Sequence, residues 1–195
     1  MATGKTDRSI RADARRNRER LQAATEAFAE AGTDVSLEAI AKRAGVGIGT
    51  LYRHFPSRAA LVEAAYRSEV DHLCAAAGEL LAEHQPDVAL AEWMDRYVGY
   101  GAAKRGMADA LQSVVASKSD LYAESRARIL DAIGTLLEAG VAAGTIRSDV
   151  DAEDVMRSMG VVWLMPDDRL WAEQARKTLG LLMDGLRHGA AAGAG

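Results

Sequence analysis

The sequence predicts an all-α protein: an N-terminal three-helix head plus a larger C-terminal helical bundle, about nine helices in total. Three observations carry this. Ala, Leu, Glu and Arg are abundant and only 3 prolines interrupt 195 residues, a composition that favours helix. Apolar residues recur at spacings of three and four along most of the chain, the period of a helix with one buried face. No stretch of useful length alternates apolar and polar residues as a half-buried strand does.

Residues 1–12 are expected to be a flexible basic arm carrying Lys5, Arg8 and Arg11. A first helix is predicted from about Asp13 to Ala31, with Leu21, Ala24, Thr25 and Phe28 as its buried stripe and Gly32 as its end. Ser36 then precedes an apolar-periodic run and can cap a second helix. Leu37, Ile40, Ala41 and Ala44 share one face of it, while Lys42 and Arg43 lie off that face. Gly45 stands where a helix ends in the left-handed conformation, and Val46 anchors the turn. A third helix follows from near Gly47 to about Phe55, with Leu51 and Phe55 on the core side and Thr50, Tyr52, Arg53 and His54 on the others. Pro56 stops it and Ser57 can cap the next. Helix, short Gly-containing turn and helix is the arrangement that places a second helix in the major groove of DNA.

The remaining elements are longer. A helix from about Arg58 to Glu83 carries the periodic set Leu61, Val62, Ala65, Tyr66, Val70, Leu73 and Leu80. Another begins near Pro86, where Asp87 can act as its cap, and Leu90, Trp93, Met94, Tyr97 and Gly101 repeat along it. A short helix spans about Met107 to Ala116. Asp120 caps a helix to about Ala143 with Tyr122, Ile129, Ile133, Leu136, Leu137 and Val141 inward, broken by Gly144-Thr145. Asp151 opens a helix reaching Trp163, Pro166 interrupts, and a last helix runs from about Asp168 to His188 with Leu170, Trp171, Ala175, Leu179, Leu182 and Leu186 inward.

Formal net charge is −4, but its distribution is uneven: residues 1–60 hold 11 Lys and Arg against 7 Asp and Glu, and residues 61–195 hold 13 against 21. A basic reading head on an acidic body fits this asymmetry. No run of about 18 apolar residues suggests a membrane span, the N-terminus lacks a secretory apolar stretch, and the single Cys74 excludes an internal disulfide. A cytoplasmic, nucleoid-associated location follows. Enzyme chemistry finds no footing. The acids Asp149, Asp151, Glu153, Asp154, Asp167 and Asp168 each stand before an apolar-periodic run, where acids favour helix starts. No Ser–His–Asp set, HExxH or phosphate loop is present, and no metal site or cofactor is predicted.

The run AGVGIGTLYRHFPSRAALVEAAY resembles the tetracycline-repressor (TetR) family of bacterial transcription regulators over about residues 15–70. The resemblance implies a DNA-binding helix-turn-helix domain over residues 1–57 and a ligand-sensing and dimerisation domain over 58–189, with a disordered tail at 190–195. It implies phosphate contacts for Tyr52, His54 and Arg58, a further one for Ser36, and base reading by Ile48, Thr50 and Arg53, of which Arg53 can take a guanine or a phosphate. Gly47 and Ile48 depart from the family's usual polar cap and basic residue, and the two glycines flanking Ile48 are expected to let the backbone approach DNA.

One short recognition helix reads few base pairs, so two-fold pairing is expected to double the site. Val155, Met156, Met159, Val162, Leu179, Leu182, Met183 and Leu186 are the candidate homodimer interface, an intersubunit four-helix bundle. Trp93, Met94, Tyr97, Tyr100, Met107, Leu111 and Trp163 are the candidate pocket for a small apolar or aromatic effector. The reading is therefore a ligand-responsive repressor on palindromic operator DNA. The alternative is a helical small-molecule-binding or scaffold protein without DNA binding.

Overall fold

The computed structural model describes residues 23–25, 28, 35–117 and 120–188. Among them the fold is all-helical, as expected, with no strand. In chain order the elements are α1 (Leu37–Arg43), α2 (Ile48–His54), α3 (Arg58–Glu83), α4 (Pro86–Gly106), α5 (Ala108–Ser117), α6 (Leu121–Ala142), α7 (Ala152–Met159), a 3₁₀ helix (Gly160–Leu164) and α8 (Trp171–Arg187). Residues 23–25 and 28 are helical too, within the stretch predicted for the helix before α1. The basic arm, Leu21, Gly32 and the tail lie outside the described residues. None of the described helices is long and apolar enough to cross a membrane.

The chain divides into two compact units. One holds the described residues of Met1–Ser68 and Ala103–Lys118, the other those of Glu69–Ala102 and Ser119–Gly195. In the first, Ala24, Phe28, Ile40, Ala41, Val46, Leu51, Leu61, Val62, Ala65 and Tyr66 are buried. These are the stripes that the periodicity picks out. In the second, Val70, Leu73 and Leu80 of α3, Leu90, Trp93 and Tyr97 of α4, and Ile129, Ile133 and Leu136 of α6 are buried.

Capping chemistry sets most of the boundaries. Ser57 Oγ accepts from Ala60 N at 3.1 Å and starts α3. Asp151 and Asp154 form a reciprocal capping box on α7. Gly144 ends α6 at φ 68°. Gly144 N donates to Val141 O at 3.0 Å and Thr145 N to Gly140 O at 2.9 Å, the paired bonds of a Schellman stop.

Four local expectations differ. Asp120 precedes α6 in a helical conformation (φ −86°, ψ −14°), which directs its carboxylate away from the cap position, and it makes no side-chain cap bond. Pro86 itself is the first residue of α4, where a missing N–H costs nothing, and Asp87 Oδ2 instead accepts from Arg187 Nε at 2.8 Å. Val141 and Leu170 are exposed. The turn after Gly144 brings Ile146 onto Gly140, which takes the inward place next to Val141. The α-helix after Asp151 tightens to 3₁₀ at Gly160, where glycine and two β-branched valines weaken α-propensity.

The aromatic residues bind the second unit together. Trp93 Nε1 donates to Leu73 O at 2.8 Å and Trp171 Nε1 to Val162 O at 2.9 Å, so both indoles are buried with their donors satisfied. Gly101 admits the Trp171 ring: a methyl at Gly101 would lie 2.6 Å from Trp171 Cη2. Cys74 is a half-buried free thiol whose pKa is raised by that burial.

Gly101→Ala is expected to lose about 1–3 kcal/mol by forcing the Trp171 ring aside. Gly99→Ala, two residues away with open space around it, is expected to gain about 0.5–1 kcal/mol from reduced backbone freedom. Denaturant unfolding of the two variants checks the opposite signs; a Gly101 variant as stable as the parent would show that the rings repack freely.

Candidate functional site

The turn between α1 and α2 is built from local bonds. Ser36 Oγ accepts from Ala39 N at 3.2 Å and caps α1. Gly45 adopts φ 66°. Gly45 N donates to Lys42 O at 3.3 Å and Val46 N to Ala41 O at 2.9 Å, a Schellman stop with Val46 buried beside Ala41. Gly47 then caps α2 through its carbonyl, which accepts from Thr50 N at 2.9 Å and Leu51 N at 3.0 Å. Leu51 turns into the core.

That anchoring leaves one flank of α2 outward. Tyr52 is 45% exposed and Ile48 38%. Gly47, Gly49, Arg53 and His54 are exposed and Thr50 is half-buried. Arg53 lies along its own helix, with Nε donating to Gly49 O at 3.5 Å and Nη2 to Thr50 Oγ1 at 3.4 Å. Bonds that long and that exposed can be exchanged for bonds to a duplex at little cost. Lys42 and Arg43 in the last turn of α1 are exposed as well. Ile48, Thr50, Tyr52, Arg53 and His54 thus come together on one seven-residue helix, with Ser36 at the start of α1. Arg58 behaves differently. It is half-buried, with Nη1 donating to Val35 O at 2.9 Å and Cζ 5.4 Å from the Phe28 ring centroid.

The residues assigned to an effector pocket fall in both units. Met107 and Leu111 are buried in the first. Trp93, Met94, Tyr97 and Tyr100 are buried in the second, beside a half-buried Trp163. There the rings touch one another. Trp93 stacks on Tyr97 at 6.1 Å, Trp163 stands edge-on to Tyr97 at 6.0 Å and Tyr100 at 6.3 Å, and Trp171 continues the cluster at 6.4 Å. Trp163 Nε1 donates to Tyr97 Oη at 2.8 Å. A cleft of about 290 Å³ lies along α4 and α8, lined by Met94, Asp95, Arg176, Leu179 and Met183 among others. It shares Met94 with the aromatic set.

Of the residues assigned to a dimer interface, Val155, Met159, Val162, Leu179, Met183 and Leu186 are buried within their own chain, and Met156 and Leu182 are half-buried. The same elements expose other apolar side chains that periodicity did not single out. Leu164 is 85% exposed, Leu181 73%, and Val161 is exposed too. The signal was available for Leu181, a leucine off the buried stripe of α8.

Five of the six acids weighed for catalysis have structural work. Arg147 holds the Asp149 carboxyl, and Arg126 the Glu153 carboxyl, below the usual carboxylate range. Asp151 and Asp154 cap α7, and Asp168 Oδ1 accepts from Leu170 N at 2.8 Å. Among the described residues no group of three or more His, Cys, Asp or Glu side chains is placed to hold a metal ion.

Comparison with known proteins agrees with this geometry. Residues 21–65 match the family described as bacterial regulatory proteins, tetR family, and residues 85–188 match the C-terminal domain of SbtR-like transcriptional regulators. The HTH-type transcriptional repressor KstR2 of Rhodococcus jostii is 29% identical over 185 residues, 88% of this chain and 91% of that protein. An HTH-type transcriptional regulator of Staphylococcus aureus is 39% identical over 83 residues, which are 41% of this chain and 44% of the relative. The crystal structure of a TetR transcriptional regulator from Streptomyces coelicolor is 47% identical with a TM-score of 0.78, over 88% of this chain and 98% of its own. That of a TetR regulatory protein from Mycobacterium vanbaalenii is 38% identical with a TM-score of 0.69, over 91% and 99%. The chain belongs to the TetR family of transcriptional regulators, and α1 and α2 are its DNA-binding helix-turn-helix.

Proposed function

We propose that this TetR-family regulator is a ligand-responsive repressor that binds a palindromic operator as a homodimer in the cytoplasm. Residues 1–57 form the DNA-binding domain and 58–189 the sensing and dimerisation domain. The observation that carries the DNA reading is the outward flank of α2, held by the Gly45 turn on one side and buried Leu51 on the other. Tyr52 and His54, with Ser36, contact phosphates, which supply affinity without sequence preference. Ile48, Thr50 and Arg53 face base edges. Ile48 suits a thymine methyl, and Arg53 can donate two bonds to a guanine. Gly47 and Gly49 add no side-chain bulk beside Ile48 and leave room for close approach.

Pairing of two protomers doubles the site, with half-sites about 34–36 Å apart along the duplex. The proposed interface is the outer side of α7, the 3₁₀ helix and α8. The exposure of Val161, Leu164 and Leu181 supports it, because these elements carry large apolar side chains that the protomer's own core leaves in water.

The effector site is proposed at the aromatic cluster of Trp93, Tyr97, Tyr100 and Trp163, with Met94 at its edge. Its rings are in mutual contact, so an apolar or aromatic ligand takes the place of a ring rather than filling a void. Trp163, half-buried and carried on a 3₁₀ segment, is the ring that moves. A ligand bound this way favours one conformation over another, and only that difference can change DNA affinity. Helix α3, with residues in both units, carries the coupling.

The DNA assignments are tested by anisotropy titration against a duplex selected from random DNA by the wild-type chain. Arg53→Ala is expected to relax preference at one base pair by about 1–3 kcal/mol, whereas Tyr52→Phe weakens binding to all sequences alike. A Tyr52 variant with changed sequence preference would make that residue a base reader. Leu181→Glu is expected to give a monomer in sedimentation with unchanged helical circular dichroism; a persisting dimer would place the interface elsewhere. All 3 tryptophans lie in the second unit, so intrinsic fluorescence follows effector binding. An effector is expected to lower operator affinity by the same factor by which operator lowers effector affinity, and unequal factors would reject it.

A further inference from the structure

Arg58 opens α3 at a position where a cation is out of place. The first turn of a helix carries the positive end of the helix dipole, and acids rather than bases are favoured there. The first turn of α3 contains no acid to offset the charge. The Arg58 side chain folds back. Its Nη1 donates to the carbonyl of Val35, 23 residues earlier, at 2.9 Å, and its Cζ lies 5.4 Å from the centroid of the Phe28 ring. Phe28 is fully buried, so the guanidinium rests on the wall of the core.

The place of this contact in the chain gives it a function. Val35 immediately precedes Ser36, the cap of α1. Arg58 comes four residues after His54, the last residue of α2. The bond therefore joins the two ends of the helix pair and closes it into a loop. A hydrogen bond from a charged donor to a carbonyl is stronger than a neutral one, and a planar guanidinium can stack on a ring while donating in its own plane. Lysine can do one of these well, not both.

We propose that Arg58 is a positioning residue of the reading head. It pins the chain before α1 to the chain after α2 and so sets the angle at which α2 meets a duplex, in place of the phosphate contact that the family pattern assigns to it. This rests on α2 being the reading helix. Two short helices joined by a glycine turn have a soft relative orientation unless their outer ends are tied. A tilt of a few degrees about that turn moves the C-terminal half of α2, and with it Arg53 against base edges, while phosphate contacts tolerate it.

The test measures affinity for the selected duplex and for a scrambled duplex, across a salt series, with wild type, Arg58→Gln and Arg58→Lys. Arg58→Gln is expected to lower affinity for the selected duplex about ten-fold, the scale of one charge-assisted hydrogen bond. Affinity for the scrambled duplex should stay within about two-fold, and the slope of log affinity against log salt should not change. Loss of a phosphate ligand would lower both affinities together and reduce the slope by about 0.9, which would overturn the proposal. A role in stability alone would lower the melting temperature yet keep the ratio of the two affinities at the wild-type value well below melting, which would also overturn it. If Arg58→Gln does not fold, Arg58→Lys reads the same quantities: it keeps the charge, so a phosphate ligand predicts near-wild-type affinities and positioning predicts a reduced ratio. A wild-type chain that selects no duplex would remove the DNA reading and the proposal with it, whereas the variant results bear on Arg58 alone.

Discussion

Helices of seven residues do not persist in water, because nucleation consumes more conformational freedom than so few hydrogen bonds return. The reading head of this protein contains two of them, α1 and α2. Everything it does depends on contacts that hold them from outside. Ile40, Ala41, Val46 and Leu51 are buried from beneath. The Schellman bonds at Gly45 fix the corner, and the Arg58–Val35 bond ties the ends. The chemistry offered to DNA is what remains after these demands are met. Leu51 takes the inward direction of α2, and Ile48, Tyr52, Arg53 and His54 are left outward.

The second unit solves a different problem. Large aromatic side chains supply much of its buried area, and each indole brings a donor that is costly to leave unmade. Trp93 reaches the Leu73 carbonyl, Trp163 the Tyr97 hydroxyl and Trp171 the Val162 carbonyl. These three bonds fix how α3, α4, the 3₁₀ helix and α8 meet within the unit. An aromatic cluster so satisfied is a core first. The sensing role proposed for it requires one ring to be less committed than the rest, and Trp163 is half-buried where Trp93 and Trp171 are buried. Exposed ion pairs such as Arg126–Glu153, at 2.9 Å, add little to this by comparison.

Much of the fold was legible because its signals are local. A glycine in the left-handed region, a serine one turn ahead of a free N–H, and an Asp–x–x–Asp pair each act within five residues. Gly45, Gly144, Ser36, Ser57 and Asp151 therefore behave as their neighbourhoods dictate. The failures are equally specific. Asp120 has the right residue type but a helical backbone, and Asp87 is drawn to Arg187, 100 residues away. Val141 lost its inward place to Gly140 because Ile146, across the turn, needs the room a glycine provides. No window of sequence contains those partners together.

By itself the sequence determined the helical class, the corners of the helix-turn-helix and the face of each long helix that turns inward, because all three follow from backbone preference and the 3.6-residue period. It also carried the charge asymmetry and the family pattern around Tyr52 and His54. Tertiary structure alone decided which apolar residues are spent on the protomer's own core and which are left over. Leu179 and Leu181 differ by two positions on one helix, yet the first is buried and the second faces water. It also decided that Arg58 turns toward Val35 and Phe28. A long side chain at a helix start can go several ways, and only the groups packed around it select one.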